Sequence, residues 1–126
     1  MKKIIESSKA PAPIGPYSQA VEVNGVLYIS GQIPIDQASG ELVSGTIEEE
    51  TEQVMKNLGY ILEAAGTSFD QVVKCSIFIK DMGDFAKINA IYGTRFPENP
   101  PARETVQVSE LPKGVNVEIS CIAHLD

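Results

Sequence analysis

The sequence predicts an α+β fold, a mixed β-sheet packed against two helices, and three observations predict it. Alternating or apolar segments suited to strands occur at 20–23, 26–29, 72–80, 102–108 and 115–124. Two stretches with apolar residues three and four apart lie between them, at 47–65 and 84–95. Turn residues punctuate the chain, and the resulting order is strand, strand, helix, strand, helix, strand, strand. The connections through each helix are long enough to join parallel neighbours. At 126 residues the chain is expected to form one domain over 1–126 and to bury about two-thirds of its extended surface, enough for one core.

The elements follow in order. Residues 10–16, Ala-Pro-Ala-Pro-Ile-Gly-Pro, form a shaped, extended loop, because three prolines remove donors and fix φ. Ala20 to Val23 and Val26 to Ile29 flank Asn24-Gly25, the pair that most readily adopts the φ > 0 geometry of a type I′ hairpin turn. Pro34, Gly40 and Gly45 among polar residues predict a long irregular connection over 34–46. Ile47, Val54, Leu58, Ile61, Leu62 and Ala65 then form one helical stripe. Thr46 and Glu49 have the form of a capping box, Glu48 to Glu50 suit the positive end of the dipole, and Gly66 closes the other end. Val72 to Lys80 reads as a strand with Val73, Cys75, Ile77 and Ile79 on one face and Val72, Lys74, Ser76 and Phe78 on the other. A second helix over 84–95 buries Phe85, Ile88 and Tyr92 and ends before Pro97. Two last strands, 102–108 and 115–124, are joined by a turn at Leu111-Pro112-Lys113-Gly114.

Two helices cover one face of a five- or six-stranded sheet and leave the other bare. Val72, Phe78, Val106 and Val108 are therefore expected to face a partner, and the chain to form a homo-oligomer.

Composition narrows the function. The 43% hydrophobic and 21% charged content is that of a globular chain, too apolar for disorder. Ten Lys+Arg against 17 Asp+Glu leave a net charge of −7, which argues against nucleic-acid binding, since that binding depends on phosphate neutralisation. Cys75 and Cys121 stand apart, with no CxxC and no partnering His motif, so neither a zinc site nor a disulfide framework is indicated and a reduced cytoplasmic setting is expected. They read as small buried hydrophobes. Met1 to Glu6 turns polar too soon for a signal peptide, and no uncharged apolar run approaches a membrane span.

Phosphate loops, nucleophile elbows and His pairs with ligand spacing do not occur, so no metal is indicated. His124, the only histidine, has no local acid or ligand set and is assigned no role. The last two strands carry more. Alternation puts Arg103, Thr105 and Gln107 on one face, and Asn116, Glu118 and Ser120 on one face of what reads as the adjacent strand. If these faces coincide, Arg103 supplies a planar fork for a carboxylate and Glu118 a base for water, a minimal hydrolytic site. By pattern alone the plainer reading is an exposed cross-strand pair, worth at most about 1 kcal/mol. Tyr17 packing beside the proline loop, Asn89 as a solvated helix residue and Ser30-Gly31 as an ordinary strand end are equally plain alternatives.

The segment from Pro101 to Ile119, Pro-Ala-Arg-Glu-Thr-Val-Gln-Val-Ser-Glu-Leu-Pro-Lys-Gly-Val-Asn-Val-Glu-Ile, closely resembles the C-terminal signature of the reactive-intermediate deaminase (Rid) family, also called the L-PSP endoribonuclease family. Ala12 to Ala20, Ser30 to Pro34, Glu63 to Gly66 and Asp84 to Tyr92 are similar to its other marker segments, in order and at the expected spacing. The resemblance spans almost the whole chain.

It implies a chorismate-mutase-like α+β sandwich assembled as a homotrimer, with active sites in the clefts between subunits. In the RidA subgroup it implies hydrolysis of 2-imino acids, such as 2-iminopropanoate (the tautomer of 2-aminoacrylate) and 2-iminobutanoate, to 2-oxo acids and ammonia. These imines leak from pyridoxal-phosphate enzymes, and the reaction uses no cofactor. By the same resemblance Arg103 holds the substrate carboxylate and Glu118 positions or deprotonates water. Tyr17, Ser30, Gly31 and Asn89 line the cleft, the Gly31 backbone approaching the ligand because no Cβ intervenes. Thr105 stands where many members have Cys and acts through its backbone carbonyl. Glu104 departs from the usual small residue and is expected to point away from Arg103; Ser120 replaces a frequent acid. The alternatives are a non-catalytic small-carboxylate-binding trimer and a ribonuclease-like translation inhibitor.

Overall fold

The computed structural model describes residues 1–125. Its main sheet has six strands in the order β1 (Lys3–Ile5), β2 (Ala20–Val23), β3 (Val26–Gln32), β8 (Val117–His124), β6 (Val72–Ile79) and β7 (Ala102–Gln107). Two further strands, β4 (Ile35–Asp36) and β5 (Glu41–Leu42), form a small separate hairpin inside the segment expected to be irregular. The helices are α1 (Ile47–Ala64) and α2 (Phe85–Gly93). The mixed sheet packed against two helices is the predicted class.

The local signals act as their chemistry requires. Asn24 and Gly25 both take positive φ, 51° and 76°, and β2 pairs with β3 from Val23↔Val26 outward. Thr46 Oγ1 accepts from Glu49 N at 3.1 Å while Glu49 Oε1 accepts from Thr46 N at 2.9 Å, a reciprocal capping box. At the other end Gly66, at φ 81°, and Thr67 donate to Glu63 and Leu62 carbonyls, the paired bonds of a Schellman stop. α1 lays Val54, Met55, Leu58, Ile61 and Leu62 on Cys75, Ile77, Ile79, Ile119 and Cys121 of the sheet.

Four expectations are corrected. First, Val73 does not join the apolar face. Opposite β8 the register runs Val72↔Ala123 then Lys74↔Ile122, so Val73 is the extra residue of a bulge, 53% exposed, and Val72 turns into the core instead of toward a partner. Second, Phe85 is 36% exposed, because α2 begins there, after a 3₁₀ turn at Met82–Asp84, and turns it to the helix edge. Third, β8 starts at Val117, since Lys113 and Gly114 take positive φ in a 3₁₀ turn that delays the strand. Fourth, the last two strands are not neighbours. The connection through α2 makes β7 a parallel neighbour of β6 at the sheet edge, and β8 inserts antiparallel between β3 and β6. Only the second helical crossover therefore joins adjacent parallel strands. β1 is an edge strand whose three residues were too short to read from alternation.

The sheet face away from the helices carries Lys74, Ser76, Phe78, Glu104, Val106, Glu118 and Ser120. Val106 is exposed, while Phe78 and Val108 are partly covered by a second apolar cluster of Ile33, Leu111 and Val115. Among the described residues no helix is long and apolar enough to cross a membrane.

Candidate functional site

The proline loop is held from below by one side chain. Gln19, almost fully buried, accepts from Ser7 N at 2.6 Å and donates from Nε2 to the carbonyls of Pro11, Ser7 and Ala10 at 2.8, 3.1 and 3.3 Å. That clamp compensates for donors the prolines lack. Tyr17 folds back over Gly15, its N–H donating to Gly15 O at 2.9 Å and its hydroxyl accepting from Ile14 N at 3.3 Å. Ser30 ties the loop to β3: Oγ donates to Ser18 O at 2.6 Å and N to Gln19 O at 2.9 Å.

Just beyond Ser30 the register of β3 against β8 slips by one residue, from Ile29↔Cys121 to Gln32↔Ile119. Gly31 lies in this bulge with Glu118 over it, and a Cβ at Gly31 would overlap the Glu118 carboxylate. The glycine therefore makes room for the acid. Ile14, Tyr17, Ser30, Gly31, Ile33, Pro112 and Glu118 line a pocket of about 320 Å³. Its walls are largely apolar, and burial pushes the Glu118 carboxyl above the ordinary carboxylate range.

Arg103 lies elsewhere. It pairs with Cys75, which pairs with Cys121, so it sits on the helix side of the sheet; Glu118 pairs with Phe78 on the opposite side. The two polar faces expected to coincide do not, because β6 separates the strands and the register puts the two residues out of phase. Within one chain Arg103 and Glu118 do not converge.

Around Arg103, α2 builds a cradle from residues at i, i+4 and i+7. The guanidinium lies 5.6 Å from the Phe85 ring centroid and 5.0 Å from that of Tyr92, and Nη1 donates to Asn89 Oδ1 at 2.5 Å. Among the described residues no carboxylate forms an ion pair with it. Glu104 turns to the other face, where it accepts from Ser76 Oγ and pairs with Lys74 Nζ at 3.1 Å. Thr105 follows on the Arg103 face, its buried hydroxyl without a hydrogen-bond partner among the described residues. The residues singled out in the sequence thus form two groups: Tyr17, Ser30, Gly31 and Glu118, and Asn89, Arg103 and Thr105. Sequence reading missed Phe85 and Tyr92 as the aromatic bed of the arginine, although their spacing from Asn89 on one helix was a usable signal.

Other candidates are quiet. Cys75 and Cys121 are free, buried and directly opposed across β6 and β8, and the contact with Cys75 together with burial holds the Cys121 thiol well above its usual range. His124 pairs with Val26 at the far end of β8. The described residues contain no group of three or more His, Cys, Asp or Glu able to hold a metal ion.

Comparison with known proteins identifies the family. The family model described as Endoribonuclease L-PSP matches residues 7–125. A RutC family protein of Pyrococcus horikoshii is 52% identical, over 98% of both chains. The Mus musculus protein named 2-iminobutanoate/2-iminopropanoate deaminase is also 52% identical, over 98% of this chain and 91% of its own. Among solved structures, a Rid-family protein of Yersinia pestis superposes with TM-score 0.97 at 49% identity, covering 99% and 100% of the two chains. Escherichia coli TdcF, solved with bound serine, gives 0.92 at 38% identity over 98% and 99%. The fold, the order of the marker segments and these likenesses place the chain in the endoribonuclease L-PSP family, the Rid proteins.

Proposed function

We propose that the chain hydrolyses short 2-imino acids, such as 2-iminopropanoate and 2-iminobutanoate, to 2-oxo acids and ammonia, in sites completed between the copies of a homotrimer. One observation carries this reading. An acid raised by burial sits in an apolar-walled pocket on one sheet face, and a guanidinium without an ion-pair partner among the described residues sits on the other. A single substrate meets both only if a second copy supplies the arginine. The names of the mammalian relatives and the small amino acid bound to TdcF favour a small carboxylate substrate.

In this reading the Arg103 fork grips the carboxylate, oriented by Asn89 and the two rings. Glu118 takes a proton from water as its oxygen bonds to the C=N carbon. Returning that proton to nitrogen makes ammonia the leaving group; as the C–N bond breaks, the new hydroxyl gives up its own proton through Glu118 to the departing ammonia and the C=O forms, so iminium and water become oxo acid and ammonium. Tyr17, Ser30 and Gly31 wall the substrate in, and Thr105 contributes its backbone carbonyl. Water and the transfer of its two protons to nitrogen suffice, so no cofactor is invoked.

The test follows 2-iminobutanoate decay after its formation in situ from threonine by a dehydratase, with and without the protein. Acceleration lost in Arg103→Ala and in Glu118→Ala is expected. A protein that still binds 2-oxobutanoate but does not accelerate decay is a carboxylate-binding module and sinks the enzyme reading.

A further inference from the structure

The buried side of α1 carries three polar residues where packing calls for apolar ones; Thr51 bonds back to Ile47 O within the helix at 2.7 Å, and the other two reach beyond it. Glu50 is 6% exposed and Asn57 is 0% exposed, seven residues and so about two turns apart on one helix face. Asn57 holds the backbone of the Ile33 wall of the Glu118 pocket, and Glu50 holds Asn116, two residues before Glu118. Asn57 Nδ2 donates to Ile33 O at 3.1 Å and Ile35 O at 3.0 Å, while its Oδ1 accepts from Gln53 Nε2 at 2.9 Å. Glu50 accepts from Asn116 Nδ2 at 2.8 Å and from Asn116 N at 3.3 Å.

Asn116 is a junction. It stands between the Pro112–Gly114 turn and β8, two residues before Glu118, and its carbonyl accepts from Lys80 N at 3.0 Å at the end of β6. Glu50 therefore ties the entry of β8 to the first turns of α1, and Lys80 ties it to the neighbouring strand. The bulge at Ser30-Gly31 leaves a space shaped for the Glu118 carboxylate, so an error at the β8 entry moves that group directly. Among the described residues no cation pairs with Glu50. A buried acid without one is an expensive way to hold a helix on a sheet, since a well-packed apolar residue does that better. What the carboxylate provides, and an apolar residue does not, is two acceptors aimed at one asparagine.

We propose that Glu50 is a positioning residue: acting through Asn116, it sets where Glu118 lies in the pocket, and Asn57 does the same for the Ile33 wall. This rests on the reading of Glu118 as the group that handles water. The test exchanges donor and acceptor. Asn116→Asp sets two carboxylates against each other; kcat is expected to fall at least about tenfold with KM within about threefold, because the Arg103 anchor is on another element. Adding Glu50→Gln to Asn116→Asp restores a donor facing an acceptor, and kcat is expected to recover to within about threefold of the parent.

Full kcat in a folded Asn116→Asp protein overturns the proposal, as does a double variant that regains its melting temperature without regaining kcat. A readout independent of activity is amide exchange in Glu50→Ala. There the Asn116 amide is expected to lose at least about tenfold protection while Ile77 and Ile119 at the sheet centre keep theirs; unchanged protection at Asn116 also overturns it. Glu118→Gln run in parallel separates the two ideas. If it retains full activity, the role of Glu118 fails, whereas loss there with an unaffected Asn116→Asp protein fails Glu50 alone.

Discussion

Arg103 has hydrogen-bonding capacity left over, and the proposed chemistry uses it as an anchor. Asn89 takes one of its five donors and two rings cover its faces, leaving fork donors for a carboxylate. Charge-assisted bonds of roughly 1.5–3 kcal/mol each make Arg103→Ala cost about tenfold to a hundredfold in kcat/KM, and Arg103→Lys is expected to recover only part, since a point charge lacks the fork. Gly31→Ala tests the other group: the added Cβ displaces the end of the Glu118 side chain rather than backbone, so the melting temperature changes little while kcat falls about tenfold or more. In its proposed role Glu118 also ties activity to pH. Its carboxyl is raised in the folded chain, so the native state holds its proton longer than the unfolded one, and stability falls as pH rises from the ordinary carboxylate value through the raised one. Glu118→Gln is therefore expected to melt higher than the parent at pH 7, by scanning calorimetry, while losing turnover. The acidic limb of the parent's kcat profile should lie above the ordinary value of about 4.3.

Elements, more than single residues, decide where these groups stand. α2 presents Phe85, Asn89 and Tyr92 to the edge strand as one stripe, so a helix of nine residues with a single polar bond orients the guanidinium. α1 is secured at its start by the Thr46–Glu49 box, and Thr46→Ala should lower stability by about 0.5–2 kcal/mol, measured by urea unfolding, with kcat unchanged. Here the sequence was highly legible, because a capping box, an Asn-Gly turn and a helical stripe are short-range signals. It was less so at Val73 and at Ser30-Gly31, where bulges break the alternation that a strand reading assumes. Both depend on which strand lies alongside, and one residue does not carry that information.

On the scale of the whole molecule the decisive feature is separation. Arg103 and Glu118 occupy opposite faces of one sheet, so the proposed chemistry requires a second copy, in line with the expectation of a homotrimer. Mixing and reassembling Arg103→Ala with Glu118→Ala chains should regenerate about a quarter of the parent sites in a closed ring of copies, from two inactive proteins. No recovery from co-assembled chains would place the whole site within one copy and contradict the model of shared sites. Light scattering should give three times the chain mass. With a net charge of −7, RNA retention is expected to be weak, and binding that survives physiological salt would favour the ribonuclease-like alternative.

By itself the sequence determined the elements, the class of fold, the family resemblance and the identity of the polar residues, because periodicity, caps, turns and motifs are written within a few residues of one another. The tertiary structure alone decided that β8 enters between β3 and β6, that Arg103 and Glu118 part to opposite faces, and that Glu50 and Asn57 turn inward. Those outcomes depend on strand order and register, which long-range pairing sets and local sequence does not encode.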